Sequence, residues 1–505
     1  MNGAVVISPH RASAEAGADV LAQGGNAIEA LVAAGAALAV TYPHFCGLGG
    51  DAVWMVADGA GAVDCYLGIG QAIAAPVTRI DQRGPGSMLT TAALVDSWDH
   101  VLAHSATWGG RAGLHELLQA AISLAEDGFA RSASQKFWQE FRGDTIAFCN
   151  DDWLRQPELA QSLRLIARDG ARSFYEGALS QRISRAMRDA GAAISADDLA
   201  ATRTQRVAPL RLDYRGLTLC APPPPTQGAT TLQIMGILRA LDMAGFAPDG
   251  PDFHHHLVEA VKQAFLDRPP IADPDFTAVD VQAMLGAPQL AAAASRISGR
   301  AMDWPQPWRQ GDTAFLAAVD AQGRSACVLQ SLYFDWGSGV MLGDTGILWQ
   351  NRGAAFDLAP DHVNCIAPGK RPFYTLNPGM ALKDGRPTLL YGTQGADGQP
   401  QTLSLLLSLL IDHGMSPAKA LARPRFLLGR TFSDSRDTLK IEAGLPDTTT
   451  AALCAMGHEL APIPAFSPLG GQAGVVRIEA DGRIDAAHDP RSDGGAIYAG
   501  ERCTT

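Results

Sequence analysis

Gly311-Asp312-Thr313-Ala314-Phe315-Leu316-Ala317-Ala318-Val319-Asp320 is the stretch on which the reading of this chain turns. Before it, residues 267–312 are rich in Pro, Ala and polar residues and keep no strong period. They close on Trp304-Pro305-Gln306-Pro307-Trp308-Arg309-Gln310 and read as an exposed connector, suited to a chain break. After it, the texture becomes that of strands. Thr313 stands at the junction. A hydroxyl there can serve simply as the polar start of a strand. It also permits self-processing, in which the Thr313 hydroxyl attacks the Asp312 carbonyl and water resolves the resulting ester. Thr313 would then carry a free α-amino group, of pKa about 7.7–8.0. That amine can accept the hydroxyl proton, so nucleophile and base reside in one residue and no His or Ser-His-Asp set is needed.

Downstream, three hairpins are expected, each with a glycine turn between strand-like runs: 314–319/326–333 around Gly323, 379–382/388–391 around Gly385, and 475–478/484–487 around Gly482. Helical segments at 401–412 and 416–422 lie between them. Upstream, residues 13–22 read as a short helix closed by Gly24-Gly25. Asn26 caps a second helix, with Glu29 completing a capping box. This helix runs to about Val40 with alanine on nearly every face, which predicts burial. Helical patterns dominate 113–200 and recur at 230–243 and 253–266. Tyr214 to Cys220 reads as one strand leading into Pro222 to Pro225. Helix-rich then hairpin-rich sequence suggests sheets sandwiched by helices.

The chain has 505 residues, 47% hydrophobic and 18% charged, enough for a sizeable core and for about three ordinary domains or one large layered unit. A formal charge of −12 argues against nucleic-acid or anionic-membrane binding. Eight cysteines lie far apart with no C-x-x-C pair, and read as free thiols in a reducing compartment. The opening lacks a basic stretch followed by an apolar one. The most apolar run, 30–40, is about half a membrane span. A cytoplasmic, membrane-free protein is expected.

Three other features invite function. Gly47-Leu48-Gly49-Gly50 lacks the spacing and lysine of a phosphate cradle and reads as a tight turn near a site. His254-His255-His256 cannot ligate one ion from a regular helix. His255 and Glu259 share a face, but two ligands make weak evidence for zinc, so no metal is expected. Pro222 to Pro225 fits a buried connector better than a polyproline ligand.

With these motifs in order, the chain resembles the γ-glutamyltranspeptidase family over nearly its whole length. The resemblance is carried by Ser8-Pro9-His10, Gly-Gly-Asn-Ala at 24–27 and Gly-Leu-Gly-Gly at 47–50. It continues through Asp213-Tyr214-Arg215-Gly216 with Pro222 to Pro225, and through Gly311-Asp312-Thr313 followed by Val319-Asp320, Gly337-Ser338-Gly339 and Thr345-Gly346-Ile347-Leu348. Ala422-Arg423-Pro424-Arg425-Phe426 and Asp489-Pro490-Arg491-Ser492 close it. It implies a four-layer αββα sandwich, an α/β fold of the N-terminal nucleophile hydrolase type. It implies a proenzyme cut between Asp312 and Thr313 into a large subunit, 1–312, and a small one, 313–505, that stay paired and could assemble further as a homo-oligomer. It places oxyanion donors at Gly395 and Ala396, Ala396 standing where the family commonly has Gly. Ser331 falls where the family places a hydroxyl supporting the nucleophile. No cofactor is implied.

Departures from the family bear on the substrate. Transpeptidases hold an α-carboxylate with an Arg and paired hydroxyls, and an α-ammonium with a carboxylate and an amide. Here those positions fall on Tyr66, on Tyr374 and Thr375, on Ala355, and on Tyr333. A buried zwitterion without such partners costs several kcal/mol, so glutathione fits poorly. A new charge, Arg352 beside Asn351, presents a fork that matches carboxylates. With Tyr333-Phe334-Asp335-Trp336 and Arg371-Pro372-Phe373-Tyr374-Thr375, the segment resembles the oxamate amidohydrolase branch. The expected substrate is therefore a small anionic amide such as oxamate. A γ-glutamyltransferase or glutathione hydrolase, a cephalosporin-acylase-like amidase suggested by Tyr333, Trp336 and Tyr374, and an uncut scaffold that binds without turnover are the alternatives. Arg352 could equally be a solvent-exposed structural residue.

Overall fold

The computed structural model describes residues 3–143, 151–304, 311–431 and 434–500. Two antiparallel sheets lie face to face at its centre. The larger contains β1 (Val5–Ser8), β2 (Asp51–Ala57), β3 (Val63–Gly68), β4 (Gln205–Val207), β7 (Asp312–Val319), β8 (Ser325–Tyr333) and β13 (Gly495–Tyr498), in the order β13-β1-β7-β8-β2-β3-β4. The smaller contains β5 (Leu210–Tyr214), β6 (Leu217–Ala221), β9 (Gly379–Lys383), β10 (Arg386–Thr393), β11 (Ala473–Ile478) and β12 (Ile484–His488), in the order β12-β11-β10-β9-β6-β5.

The alternation of β7 explains the layering. Ala314, Leu316 and Ala318 face a helical layer, whereas Phe315, Ala317 and Val319 face the second sheet. Against the outer face of the larger sheet pack α1 (Arg11–Ala22), α2 (Ala27–Thr41) and α3 (Leu94–Thr107). Against the outer face of the smaller sheet pack α4 (Gly228–Leu238), α5 (Pro251–Leu266) and α6 (Gln399–Ile411). The inter-sheet core joins Val53, Met55 and Phe315 to Met380, Leu390 and Val476. The result is the αββα sandwich expected. No helix among the described residues is long and apolar enough to cross a membrane.

Local expectations fare unevenly. The Asn26 side chain accepts from the amides of Ile28 (3.0 Å) and Glu29 (3.2 Å) while Glu29 accepts from Asn26 N–H (2.9 Å), and every residue of α2 is buried. The three glycine-turn hairpins form. Tyr214 to Cys220, however, is not one strand. The chain reverses at Arg215-Gly216, both at positive φ, so the run is split between β5 and β6. The stretch 267–312 is no exposed connector throughout: short helices at Val281–Met284 and Ala287–Ser295 bury Leu290 and Ala293, Asp312 already lies in β7, and residues 305–310 lie outside the described residues. The six described cysteines, 46, 65, 220, 327, 365 and 454, are free thiols.

Candidate active site

Thr313 is 1% exposed and shares its face of β7 with Phe315, so its hydroxyl looks into the space between the sheets. The Gln399 side-chain amide, at the start of α6, lies 3.4 Å from its Oγ. The peptide preceding it is gripped from both sides. The Asp312 carbonyl accepts the Ser331 hydroxyl at 2.6 Å, and Ser331 Oγ in turn accepts the Tyr333 N–H at 2.8 Å. The Asp312 carboxyl accepts from Gln394 Nε2 at 2.5 Å. A hydroxyl donating to the carbonyl that Thr313 would attack polarises that carbonyl and shields charge growing on its oxygen.

The Asp312 side chain faces the opposite way, toward a buried charge cluster. Asp335 is held there by Arg83 (Nη2 to Oδ1, 3.0 Å) and by both ends of Arg142. Burial pushes the Asp312 carboxyl up to about 7, and the Asp335 charge adds to this. Gln394, Arg142 and Arg83 oppose it without cancelling it.

Gly395 (φ 118°) and Ala396 (φ 43°) form a left-handed bend just ahead of α6. An added Cβ on Gly311 would lie 3.1 Å from the Ala396 Cβ, so this bend lies against the Gly311–Thr313 segment. Among the described residues, neither bend amide has a hydrogen-bond acceptor. Free N–H groups at the positive end of a 13-residue helix suit a developing oxyanion. Two contacts fix the bend. Gln227 Nε2 donates to the carbonyls of Ala396 (2.7 Å) and Thr375 (2.8 Å), and Arg268 pairs with Asp397 at 2.6 Å in a fully packed setting.

Arg352 is 0% exposed, which removes the solvent-exposed reading. None of its three guanidinium nitrogens has a hydrogen-bond partner among the described residues. The Tyr333 and Tyr374 rings each lie 4.0 Å from its guanidinium carbon. Tyr333 is in register with Asp312 across the strand pair and sits at φ 80°, a left-handed conformation unusual for an aromatic residue. The cation is thereby tied to the Thr313 junction through one residue.

Of the residues expected to line the pocket, Tyr333, Tyr374 and Arg352 come together, and the Thr375 carbonyl joins them to Gln227. Asn351 spends its side chain on backbone, accepting from Phe334 N–H (3.1 Å) and donating to Gln82 (2.7 Å), so it orients the segment. Tyr66 does not join the group. It pairs in register with Trp54 on the helix-facing side of the larger sheet, opposite the face of Thr313, and its hydroxyl meets His104 at 2.7 Å. Sequence reading missed Gln227, Gln394, Gln399 and Asp51. Asp51 directly follows the Gly47–Gly50 turn, whose backbone packs against Ser331 and Leu348 so closely that a Cβ on Gly50 would lie 2.4 Å from the Ser331 carbonyl. That proximity was the one available signal.

His255, Glu259 and His458 approach one another as metal ligands could. Their atoms are already engaged: His255 meets His458 (2.8 Å) and the Ser298 carbonyl (2.6 Å), and Glu259 pairs with Lys262 (2.7 Å). The Lys262 ammonium already balances the Glu259 charge, and His458 is pushed down to about 3, chiefly by burial. The donor set fits a structural network.

The layered sheets with a buried threonine at a strand start define a hydrolase fold of the N-terminal nucleophile type. The profile of the gamma-glutamyltranspeptidase family matches residues 13–499, and the chain belongs to that family, as a hydrolase of C–N amide bonds. The oxamate amidohydrolase proenzyme of Klebsiella pneumoniae is 40% identical, covering 97% of this chain and 98% of that one. The glutathione hydrolase-like YwrD proenzyme of Bacillus subtilis is 38% identical over 98% of both. The crystal structure of cephalosporin acylase from Bacillus halodurans superposes with a TM-score of 0.88 at 28% identity, over 98% of this chain and 95% of that one.

Proposed function

We propose that the chain is a proenzyme that cuts itself between Asp312 and Thr313, and that the mature pair, 1–312 and 313–505, hydrolyses a small anionic amide of the oxamate kind. The observation that carries the substrate reading is Arg352, a buried cation with its whole fork unpaired between two tyrosine rings. An unpartnered buried charge is costly, and an incoming carboxylate relieves that cost.

In maturation, Thr313 Oγ adds to the Asp312 carbonyl carbon while Ser331 donates to the carbonyl oxygen. The C–N bond breaks, the proton from the hydroxyl passes to the departing Thr313 nitrogen, and water hydrolyses the ester. In turnover, the freed amine takes the Oγ proton as Oγ attacks the substrate amide carbonyl. Gly395 and Ala396 N–H groups meet the oxyanion. The proton passes to the leaving nitrogen, ammonia departs, and water enters as the second nucleophile to release the acid and restore Thr313. No cofactor is required by these steps. Likeness to the oxamate amidohydrolase proenzyme of Klebsiella pneumoniae supports the same substrate class.

The alternative, γ-glutamyl transfer or glutathione hydrolysis, needs an acid for the substrate ammonium. Its expected position is Ala355, which packs with Tyr333 and Phe334. Ammonia release from oxamate, set against chromophore release from γ-glutamyl p-nitroanilide, separates the readings. Turnover of the second substrate alone would refute the anionic-amide assignment. For Arg352→Met, KM for oxamate should rise about 100-fold, the loss of one charge-assisted bidentate contact of roughly 3 kcal/mol; an unchanged KM removes Arg352 from the pocket.

A further inference from the structure

The Arg352 charge is felt by Asp51, which is buried at the head of β2 and whose Oδ2 holds the Tyr374 hydroxyl. No Arg352 nitrogen hydrogen-bonds it. Asp51 Oδ1 accepts the N–H groups of Gly70 (2.9 Å) and Ala93 (2.9 Å), and Oδ2 accepts the Tyr374 hydroxyl. The Tyr374 and Tyr333 rings meanwhile each lie over the Arg352 guanidinium, 4.0 Å from its carbon. The rings leave the N–H donors of the fork without a hydrogen-bond partner among the described residues, ready for a carboxylate to dock with two parallel hydrogen bonds.

We propose that Asp51 and Tyr374 set the specificity of the anion site: Tyr374 occupies the Asp51 oxygen that would otherwise close onto Arg352, and so keeps the Arg352 edge open for a substrate carboxylate. Asp51 balances the buried cation without hydrogen-bonding its donors. The same arrangement makes Asp51 a poor partner for an α-ammonium, because its carboxylate already accepts three hydrogen bonds. This pair is a positioning device acting through Arg352, and it rests on the anionic-amide reading above.

The test is calorimetric binding of oxalate, the acid that oxamate hydrolysis would leave, to purified protein whose two-fragment pattern and circular dichroism match the parent. Tyr374→Phe keeps the ring but frees Asp51, which then pairs with Arg352. Oxalate should bind about tenfold more weakly, the scale of one lost charge-assisted contact. Tyr374→Phe combined with Asp51→Asn should bind within about threefold of the parent, since the amide carries no charge with which to close the site. Asp51→Asn alone should bind oxalate several-fold more tightly, because a carboxylate no longer repels the incoming anion. A merely structural Asp51 predicts the reverse in both Asn variants, and unchanged binding in Tyr374→Phe, or a double variant weaker than the single, overturns the proposal. Arg352→Met is run alongside. If it abolishes oxalate binding while the other variants behave as the parent, the anion site stands and the Asp51–Tyr374 device falls. If it leaves binding unchanged, the anionic-amide reading falls and takes the device with it.

Discussion

At the scale of single residues, Gly395 and Ala396 do different work with the same backbone hand. Gly395 at φ 118° occupies a region closed to side chains, whereas Ala396 at φ 43° is in the left-handed well that alanine enters at a cost of about 1 kcal/mol. Ala396→Gly should therefore leave kcat within a few-fold and stabilise or spare the fold. Gly395→Ala should lower kcat by about 10²–10³, the loss of one aimed oxyanion donor; steady-state kinetics on the mature protein distinguishes them. Asp312 offers a pH test. Its carboxyl is raised in the folded precursor, so the folded state holds a proton that the unfolded chain releases near pH 4. Stability is then fullest below about pH 4 and declines as pH rises toward 7. In an uncleavable Thr313→Ala background, denaturant titrations should show that decline, and Asp312→Asn should flatten it. A precursor that gains stability over the same range would contradict the buried, protonated carboxyl.

At the scale of elements, the closing motifs of the sequence turn out to be architecture. Arg425, from the Ala422–Phe426 motif, pairs with Asp489, from the Asp489–Ser492 motif, and Arg491 links Asp489 (3.1 Å) to Glu442; Arg425, Asp489 and Glu442 are buried and the Arg491 side chain is 1% exposed. Asp489→Ala strands two buried arginines and should cost about 3–5 kcal/mol, measured as a fall in the denaturation midpoint; a loss under 1 kcal/mol would show that the network is solvated. Legibility followed local physics. The hairpins around Gly323, Gly385 and Gly482 were readable because each glycine interrupts an alternating run. The buried α2 was readable because Asn26 and Glu29 announce its start and alanine covers every face. The β5–β6 turn was missed although Gly216 marks it, because the reversal needs Arg215 beside it at φ 51°, a conformation its residue type does not announce. The helices at 281–284 and 287–295 were hidden by a Pro- and Ala-rich composition without a period. The three-stranded sheet of 426–428, 439–442 and 460–463 escaped because its strands are only three or four residues long.

At the scale of the whole molecule, the site is an assembly across sequence distance. Thr313 could be singled out because it marks a change of texture along the chain. Asp51, Gln227 and Gln394 could not, because each reaches the site through a residue more than 80 positions away that the fold brings beside it. Tyr66 failed as a pocket residue for a related reason: the side of the sheet it faces is set by pairing with Trp54, which no gap placement in a motif reveals. The central claim is that the chain becomes an enzyme by making Thr313 a terminus. N-terminal sequencing and intact mass of the purified, active protein test it most directly. Two fragments summing to the 53.1 kDa chain, one beginning at Thr313, and a Thr313→Ala variant that remains whole and inactive, are the predicted result. Active material consisting of one unbroken 53.1 kDa polypeptide would contradict it.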